Sequence, residues 1–568
     1  MPKVQKPARY TGGEYNQIIK NKDEVELRLA FCFPDTYEIG MSNLGMGILY
    51  STMNELPYVW CERVYAPWGD MYEQMKQNGV PLYALESGDP ISEHDVLAFS
   101  IGYEMAYSTV LDMMDMAGIP IHSADRKTLL PLVIAGGTAA LNPEPMADFI
   151  DIFLLGEGEE MNNELLALLR TAKAEGWSKQ AFLEKASQIG GVYVPSFYKP
   201  VYNDDCTINH FDVHPGAPEK VTKRIIADMN SVHFPLSPIV PSTEVVHDRV
   251  NLELFRGCVR GCRFCQAGHV YRPIRAKSPE LLAEQGKALL KNTGCQDITL
   301  LSLSSSDYRC LSELCDELLG YCEPRSIGLS LPSLRADNFS MDIMHRIQKT
   351  RKSGLTFAPE AGSQRMRDII NKNVTEEDLD RAAKAAFEAG WNRMKLYFMM
   401  GLPTETEEDV KAIIELAQKV VDLFYSLPNR PKGKGVTVNI SVACFVPKPF
   451  TPFEFEPQDT PEQFVAKQKL LLETVSSRKI SINYHDSGTS RIEAILARGD
   501  RRLADVVEAV WQEGGRLEGW EDHFSPARWY AAMEQAGLSP DFYATRKREY
   551  DELMPWDLSL IHISEPTR

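Results

Sequence analysis

Two long runs of the chain alternate apolar strand patterns with amphipathic helix patterns, and this alternation limits the possible folds more than any other feature. In the first run the strand patterns occupy residues 25–33, 63–66, 81–85, 95–101, 119–122, 132–135 and 149–155. Strands that alternate with helices over such a length form a mainly parallel sheet with helices on both faces. We therefore predict an α/β protein that begins with a doubly wound, Rossmann-like domain over residues 23–192.

The second run predicts a different arrangement of the same units. Its strand patterns occupy residues 250–255, 297–303, 328–331, 355–358, 393–400 and 436–446, with helix patterns between them. Six such strand and helix units predict an open (β/α)6 barrel, a partial TIM barrel, over residues 244–478. In barrels of this kind the functional groups lie at the carboxyl ends of the strands.

Four further segments flank or join these two domains. Residues 1–22 are polar and are predicted to be a flexible amino terminus, and the proline-rich residues 193–243 are predicted to be a linker. Residues 479–557 are predicted to be a helical carboxyl-terminal region. Residues 558–568 resemble a translated sequencing-library adapter, so we exclude them from the fold and expect the protein itself to continue into a short cysteine-rich tail.

Composition narrows the class of protein. A chain of 568 residues is too long for one hydrophobic core. A net charge of -18 disfavours nonspecific phosphate binding, so no DNA partner is expected, although a local basic groove could still hold RNA. The amino terminus lacks the apolar stretch of a signal peptide, and nowhere do 18 apolar residues run together. We expect a cytoplasmic protein with no membrane partner, in which the eleven cysteines serve metal binding or burial rather than disulfides.

Three of those cysteines lie in one short loop directly after the first strand of the second run. Cys258, Cys262 and Cys265 have a C-x3-C-x2-C spacing, and glycines around them let the backbone wrap a metal closely. A 4Fe–4S cluster usually takes four cysteines, so three leave one iron open. The spacing also allows a zinc site that uses the same cysteines with His269.

The cysteine spacing, with Phe264 before Cys265, resembles the signature of radical S-adenosylmethionine (SAM) enzymes. The resemblance implies that SAM binds the open iron and that an electron from a reductant such as flavodoxin or ferredoxin cleaves it to a 5'-deoxyadenosyl radical. Polar motifs that follow later strands resemble those of the same family, particularly its branch with an added cobalamin-binding domain. One of them, residues 331–335, is not assigned to a role.

The resemblance also implies which residues bind SAM. Glu360, Ser363 and Arg365 are assigned to its ribose and methionyl end, Ser304 and Ser306 lie near its amino group, and Phe264 lies beside the adenine. For each of the polar residues a structural role is the alternative, and Ser363 in particular would make a good helix N-cap. No catalytic residue is assigned.

Glycine-rich loops in the first run resemble those of cobalamin-binding domains. Relatives that bind cobalt through a histidine carry D-x-H-x-x-G, where this chain has Asp35, Tyr37 and Gly40 at the three defined positions. Tyrosine, with a pKa near 10, is a poor ligand for cobalt compared with imidazole. We therefore expect any cobalamin to lack a histidine lower ligand, and the alternative is a domain that keeps the fold without the cofactor. The resemblance points to six residues for this cofactor: Asp35, Tyr37, Gly40, Ser100, Gly136 and Gly137.

Two other features of the second run have simpler interpretations. Cys315 and Cys322 lie on one apolar helix face, so burial is favoured over an auxiliary cluster with Cys295 and Cys310. The proline and phenylalanine stretch over residues 445–453 resembles one in radical SAM methylthiotransferases and is expected to cover the barrel mouth more readily than to dock a base.

These patterns together predict a transferase-type radical SAM enzyme with a 4Fe–4S cluster and SAM, and cobalamin as an uncertain third cofactor. It would methylate or methylthiolate an unidentified substrate, either a small molecule or RNA. The alternative from another class is a noncatalytic iron–sulfur or zinc scaffold protein associated with RNA.

Overall fold

The computed structural model describes residues 3–332, 335–338, 355–428, 430, 433 and 435–560. These residues form two compact units that do not follow chain order. The first unit contains residues 3–248, 495–543 and 549–560, and the second contains the described residues of 249–494 together with 544–548. The domain boundaries given above stay predictions.

The first unit is built on one sheet of six strands in the order β2-β1-β3-β4-β5-β6, in which β6 runs antiparallel to β5. Every residue of the first two strands along the chain is buried, as expected for parallel strands covered by helices on both faces. The predicted α/β, doubly wound class is confirmed. The strands are β1 Leu27–Phe33, β2 Val59–Tyr65, β3 Val96–Ser100, β4 Leu132–Gly136, β5 Ile152–Leu154 and β6 Val192–Tyr193.

Two of the predicted strands in this unit are wrong. Residues 81–85 contribute only an isolated bridge from Tyr83, within a loop whose Leu82 side chain is buried. Residues 119–122 follow helix Tyr107–Met116 and Gly118, whose φ is 70°, and Ile119 donates its N–H back to the carbonyl of Met114. An apolar residue that follows a left-handed glycine is typical of a helix carboxyl terminus. Both short apolar segments therefore pack on the core without pairing as strands.

Helices cover both faces of this sheet, and polar side chains define where several begin. Asn43 and Ser178, for example, accept backbone N–H groups of Met46 and Ala181 in the first turn of their helices. The α-helices of the unit are Tyr37–Met41, Leu44–Asn54, Gly69–Asn78, Tyr107–Met116, Gly158–Glu175, Lys179–Ala186, Leu503–Gln512 and Pro526–Gln535. The 3-10 helices are Pro7–Tyr10, Ile91–Glu93, Glu104–Ala106, Ala139–Leu141, Glu144–Met146 and Pro195–Phe197.

The amino-terminal segment is part of the fold, which corrects the expectation that residues 1–22 are flexible. Glu14 is 5% exposed and accepts hydrogen bonds from Arg63 and from the Tyr37 hydroxyl. Lys20 donates to three backbone carbonyls, including that of Val59 at 2.5 Å. The polar composition of the segment predicts a solvated terminus. In the structure, the charged side chains of Glu14 and Lys20 instead bind partners within the fold.

The predicted linker also has regular structure. Strands β7 Tyr198–Tyr202 and β8 Ile208–Val213 form an antiparallel hairpin, and β9 Val221–Thr222 pairs with Ser559–Leu560. Because the segment is rich in proline, its sequence predicts a linker, and the strand pattern of the hairpin is not apparent from it. Of the segment predicted to be adapter-derived, Leu558 is buried, and residues 561–568 lie outside the described residues.

The second unit contains a strand for each of the six that were predicted, all paired in parallel. They fall into two sheets among the described residues, β10-β13-β14 and β15-β16-β17-β18, and a small antiparallel pair joins β11 to β12. The strands are β10 Val250–Glu253, β11 Phe255–Arg256, β12 Arg275–Ala276, β13 Asp297–Leu301, β14 Gly328–Ser330, β15 Leu355–Glu360, β16 Arg393–Met400, β17 Thr437–Cys444 and β18 Ile480–Tyr484.

Strand β18 was missed, because residues from 479 onward had been predicted to be helical. Its Ile-Ser-Ile-Asn-Tyr sequence alternates with a period of two, which is the signal that could have identified it. The helices of the unit are Gln266–Val270, Pro279–Thr293, Leu311–Cys322, Gln364–Ile369, Glu376–Glu388, Glu407–Ser426 and Pro461–Thr474, with 3-10 helices at Ser305–Asp307, Glu323–Arg325 and Ala336–Asn338. Helices Ser487–Ala497 and Pro540–Ala544 contain residues of both units.

No helix in the described part of the chain is both long enough and apolar enough to cross a lipid bilayer.

A buried ion pair attaches residues 495–543 to the segment between β4 and β5 of the first unit. Arg501 donates to both carboxylate oxygens of Glu144 at 3.0 and 2.9 Å, and the Glu144 side chain is 1% exposed. Tyr193 donates to the same carboxylate at 2.6 Å. Asn142 donates to the carbonyls of Ala497 and Gly499. The carboxyl-terminal helices are therefore a layer of the first unit.

We expect Arg501→Ala to lower the free energy of unfolding of the first unit by about 3–5 kcal/mol, because it leaves the Glu144 carboxylate buried without its cation. Urea unfolding followed by circular dichroism measures the change. Arg170→Ala, which breaks an exposed pair with Glu26, is the control and should leave the midpoint unchanged. Equal effects of the two variants would show that the buried pair does not hold the layer.

Candidate functional site

The three cysteines lie between β11 and helix Gln266–Val270, at the carboxyl end of the first parallel strand of the second unit. Cys262 is buried, whereas Cys258 and Cys265 are partly exposed. Two sulfurs receive backbone N–H groups, Cys258 from Arg260 at 3.4 Å and Cys265 from Gly268 at 3.3 Å. Such contacts favour the thiolate form that binds metals.

Backbone contacts fix the shape of this loop. Arg263 donates its N–H to the carbonyl of Ile370 at 3.0 Å, and the Asn371 side chain donates to the carbonyl of Gly261 at 2.8 Å. Gly257 has a φ of 88°, and a Cβ there would lie 2.7 Å from the carbonyl oxygen of Pro273. The turn into the loop therefore requires glycine.

Cationic side chains surround Cys262. Burial raises the pKa of the Cys262 thiol, and the positive charges of Lys372 and Arg335 oppose that rise. Lys372 is 9% exposed and bonds to Glu360 at 3.0 Å. Glu360 ends β15 with a φ of 69°, a left-handed conformation that is unfavourable for a side chain with a Cβ. Glu360, whose backbone conformation is strained, and its partner Lys372 thus lie beside the cysteine loop.

A second ionic group links the loop to the neighbouring strand ends. Arg260 bonds to Asp307 at 2.9 Å and to Asp337 at 3.0 Å. Ser304, which was assigned to SAM, donates its hydroxyl to Asp307 at 2.7 Å, and both Ser304 and Ser306 are buried. Ser304 is therefore linked to the cysteine loop through Asp307 and Arg260, whereas Ser306 is buried within the 3-10 helix Ser305–Asp307.

Ser363 and Arg365 converge on a residue that sequence reasoning missed. Ser363 accepts the N–H of Met366 as an N-cap and donates to Asp409 at 2.5 Å, and Arg365 forms an ion pair with Asp409. Asp409 also belongs to the capping box of Thr406. Burial works against ionisation of Asp409, but the hydrogen bonds from Arg365, Ser363 and Thr406 lower its pKa to about 2. The N-cap alternative for Ser363 is confirmed.

Phe264 packs into a small apolar cluster instead of standing free at the loop. The other members of this cluster include Met366, Phe445 and Phe453, all of them buried. Phe445 and Phe453 belong to the stretch over residues 445–453, whose aromatic rings are therefore part of the core and are not presented to a base. Within the same stretch Lys448 pairs with Glu493 at 2.9 Å, so Glu493 is an anchor for this segment.

Among the residues that the structure describes, no group of three or more His, Cys, Asp or Glu side chains could hold a single metal ion. His269, the fourth ligand of the zinc alternative, has its Nδ1 2.8 Å from the carbonyl oxygen of Cys265. Cys315 and Cys322 are fully buried on their helix, as burial of an apolar face predicts.

The first unit has its own candidate site. The strand order 2-1-3-4-5 places a topological switch point between β1 and β3, where ligands bind in folds of this type. A cavity of about 240 Å³ lies there. Its lining includes Phe33, Pro34 and Asp35 at the carboxyl end of β1, Ser100, Gly102 and Tyr103 at the carboxyl end of β3, and Leu517 and Gly519 from the carboxyl-terminal layer.

The six residues assigned to cobalamin do not all meet at this cavity. Asp35 and Ser100 line it. Gly137, at the end of the neighbouring strand, has a φ of 108° and approaches Ile101 so closely that a Cβ would lie 2.5 Å from its carbonyl oxygen. Gly136 accepts the N–H of Ile101 at 2.7 Å. These two glycines therefore shape the loop after β3 from one side.

Tyr37 and Gly40 lie elsewhere. Tyr37 is 1% exposed and donates its hydroxyl to Glu14, and Gly40 lines a separate cavity of about 80 Å³ beside Arg63 and Tyr65. A Cβ on Gly40 would lie 2.2 Å from the Tyr65 ring, so the glycine serves packing. The tyrosine in the D-x-Y-x-x-G sequence is thus a buried structural residue in this structure.

Relatives of this chain include proteins of both known and unassigned activity. An uncharacterized protein of Methanocaldococcus jannaschii is 28% identical over 485 residues, which cover 84% of this chain and 90% of that protein. A tRNA-2-methylthio-N(6)-dimethylallyladenosine synthase of Desulfitobacterium hafniense is 25% identical over 175 residues, 29% of this chain and 38% of that enzyme. The second relationship covers only part of either chain.

Two solved structures share the fold. One is the radical S-adenosylmethionine methyltransferase TsrM from Kitasatospora setae with cobalamin and a 4Fe–4S cluster bound, with a TM-score of 0.55, 11% identity, and coverage of 90% of this chain and 99% of that one. The other is the cobalamin-dependent SAM radical enzyme OxsB with aqua-cobalamin bound, with a TM-score of 0.50, 12% identity, and coverage of 90% and 71%. At these identities the likeness is one of fold.

We expect Asp409→Asn to destabilise the protein most above pH 3.8, the ordinary pKa of an aspartate, and progressively less as the pH falls towards about 2. The reason is that a carboxyl group with a lowered folded-state pKa stabilises only while it is ionised, and that contribution is lost as pH falls through the folded-state value. Unfolding by urea at a series of pH values measures it. Asp422→Asn, at an exposed position of the same helix, is the control. A loss of unfolding free energy in Asp409→Asn that is the same at every pH would contradict this prediction.

Two family models match separate parts of the chain. Residues 45–195 match the model for radical SAM proteins, N-terminal, and residues 252–417 match the radical SAM superfamily. The second match contains all three cysteines of the loop and all six residues assigned to SAM. Together the two matches, both to radical SAM models, span more than half of the chain, which therefore belongs to the radical SAM superfamily.

Proposed function

We propose that Cys258, Cys262 and Cys265 hold a 4Fe–4S cluster with which the protein cleaves SAM reductively, and that the resulting radical chemistry leads to methylation of a substrate. The observation that carries the proposal is the position of the cysteine loop. It follows the first parallel strand of a unit that matches the radical SAM superfamily, at the strand ends where such folds do chemistry.

The residues around the loop fit an iron–sulfur cluster. Three soft sulfur donors lie on one loop, two of them already accept backbone N–H groups, and the positive charges of Lys372 and Arg335 favour thiolate at Cys262. Held by these three cysteines, a 4Fe–4S cluster would supply an open iron for SAM and the one-electron reduction of its sulfonium.

The protein's own residues supply positioning and charge. Lys372 and Glu360 form a pair beside the loop, and Arg260 with Asp307 forms a second pair on the other strand ends. A SAM molecule brings a carboxylate and an ammonium group, and such paired charges can exchange one partner for each of these groups. Glu360, Ser363, Arg365, Ser304, Ser306 and Phe264 remain our proposed SAM-binding residues.

Ser363 and Arg365 have to release Asp409 before they can bind SAM. Arg365 retains a half-exposed side chain, so it can turn from Asp409 without leaving a void. Ser363 is less free because it also caps helix Gln364–Ile369. Of the two, Arg365 is therefore the better candidate for a direct contact.

We place cobalamin at the switch point between β1 and β3. Asp35 and Ser100 line the cavity, and neither Asp35 Oδ2 nor the Ser100 hydroxyl forms a hydrogen bond with another residue in the described part of the chain. Whole drug-sized ligands occupy about 300–1,000 Å³, so this cavity would hold a polar part of the cofactor and not all of it. Likeness of fold to TsrM and OxsB, both described with cobalamin, supports the placement.

Methylthiolation is the second candidate. It is favoured by the partial identity to a tRNA methylthiotransfer enzyme, and it would make RNA the substrate class. Uptake of cobalamin by the purified protein from hydroxocobalamin supports methyl transfer, and a failure of uptake would leave methylthiolation as the better proposal. In either case we propose a cytoplasmic enzyme that takes electrons from a flavodoxin or ferredoxin.

We expect the anaerobically reconstituted protein, given dithionite and SAM, to form 5'-deoxyadenosine, and Cys262→Ala to form none, because the cluster loses a ligand. Liquid chromatography with mass spectrometry measures the product. Cys206→Ala, at an exposed cysteine of the first unit, is the matched control and should retain the activity. An intact cluster with no SAM cleavage would overturn the enzyme proposal in favour of a noncatalytic iron–sulfur scaffold.

A further inference from the structure

Residues 516–520 form one wall of the cavity at the switch point. Leu517 and Gly519 line it directly, although they are more than 400 residues from the strand ends that form the opposite wall. The cavity is therefore not completed by the sheet and its own helices. It is completed by the carboxyl-terminal layer of the same unit.

Three contacts hold this wall in place on one side. Arg516 bonds to Asp112 at 3.0 Å, and its guanidinium lies 3.8 Å from the centre of the Tyr72 ring. Both charged residues are at least 90% buried. Leu517 donates its N–H to the Thr109 hydroxyl at 2.8 Å. A buried ion pair and a buried backbone bond together determine the path of the segment.

The backbone at the wall is held in an unfavourable conformation. Leu517 has a φ of 52°, in the left-handed region that favours glycine, and its side chain is 2% exposed. Such conformations persist where the surroundings over-determine them, and they occur preferentially at ligand sites. Leu517 is consistent with this, because it both carries the strain and lines the cavity.

Trp520 connects the wall to the carboxylate that lines the cavity. Its indole N–H donates to Asp35 Oδ1 at 2.9 Å, and the backbone N–H of Thr36 donates to the same oxygen at 2.6 Å. The Trp520 ring packs edge to face on Trp68, with centroids 5.3 Å apart. With Oδ1 held by two donors, the carboxylate cannot rotate freely, and its Oδ2 receives no donor from any residue that the structure describes.

We propose that Trp520 is a positioning residue for the ligand site between β1 and β3: it orients Asp35 so that Oδ2 accepts an N–H or O–H group of the ligand, with residues 516–520 as the wall. The inference rests on the proposed function, in which that ligand is cobalamin, a molecule with many amide N–H and hydroxyl donors. It assigns the carboxyl-terminal layer a part in this ligand site, which neither the sequence motifs nor the family resemblance indicates.

The first test is titration of the cofactor-free full-length protein with hydroxocobalamin, followed by absorbance. Trp520→Phe keeps an aromatic ring and removes the N–H, and we expect it to raise the dissociation constant about tenfold, because a charge-assisted hydrogen bond that orients Asp35 is lost. Trp177→Phe removes a similar indole N–H bond, to the exposed Glu175, and should change the constant less than twofold. Equal constants for wild type and Trp520→Phe would overturn the proposal.

The pH profile of binding separates positioning from a general structural effect. Burial raises the pKa of Asp35, and the bond from Trp520 lowers it. Binding that needs the ionised acceptor should therefore fail at a higher pH in Trp520→Phe than in wild type. The negative charge of Glu38, which is itself paired with Arg9, also raises the pKa of Asp35. Glu518, in the wall, forms an ion pair with Arg528. A weaker constant with an unshifted pH profile would refute the positioning role.

Two further variants keep the test decisive. Should Trp520→Phe fail to fold, Asp35→Asn replaces the proposed acceptor by a donor of the same shape, and it should weaken binding by a similar factor; unchanged binding would overturn the proposal. Should wild type bind no cobalamin, the cofactor assignment fails, and the wall is tested by alkylation of Ser100→Cys, followed by peptide mass spectrometry. Adding Trp520→Ala should speed that alkylation severalfold if the wall covers the cavity, and an unchanged rate would overturn the wall as well.

Discussion

The chemistry proposed for the second unit depends on the hydrogen bonds that fasten the cysteine loop to the segment after helix Gln364–Ile369. A glycine-rich loop has many conformations, and ordering each residue costs about 1–2 kcal/mol in backbone entropy. Ile370 and Asn371 supply the partners that select one of them. Lys372 follows at once and pairs with Glu360 at the end of β15. One short segment thus places thiols, a cation and a carboxylate together.

The first unit solves a related problem at its own strand ends. At a topological switch point the loops after neighbouring strands diverge, so a cleft opens without any specific side chain being required. Residues 516–520 close the side of the cleft that the sheet leaves open, and the bond between Arg516 and Asp112 anchors them. Because Arg501 and Glu144 attach the same layer farther along the sheet, the cavity depends on contacts made by the carboxyl-terminal part of the chain.

Sequence was sufficient for features that arise from local pattern. Mainly apolar strand patterns that alternate with helix patterns predict the parallel strands of both units, and the position of Ser363 before a helix indicates the N-cap as its alternative role. Long-range partners were not predictable. Arg501 and Glu144 are 357 residues apart, and Asp409 lies 46 residues from Ser363 and 44 from Arg365, both of which it binds. Tyr37 was assigned by motif position, whereas its burial depends on Glu14, from a segment expected to be flexible.

The proposed activity requires that the cysteine loop hold a cluster with one iron open to SAM. Electron paramagnetic resonance of the reconstituted, dithionite-reduced protein tests this requirement. We predict that addition of SAM changes the signal of the reduced 4Fe–4S cluster, because the amino and carboxylate groups become ligands of the open iron. A 4Fe–4S signal that is the same with and without saturating SAM would contradict the claim.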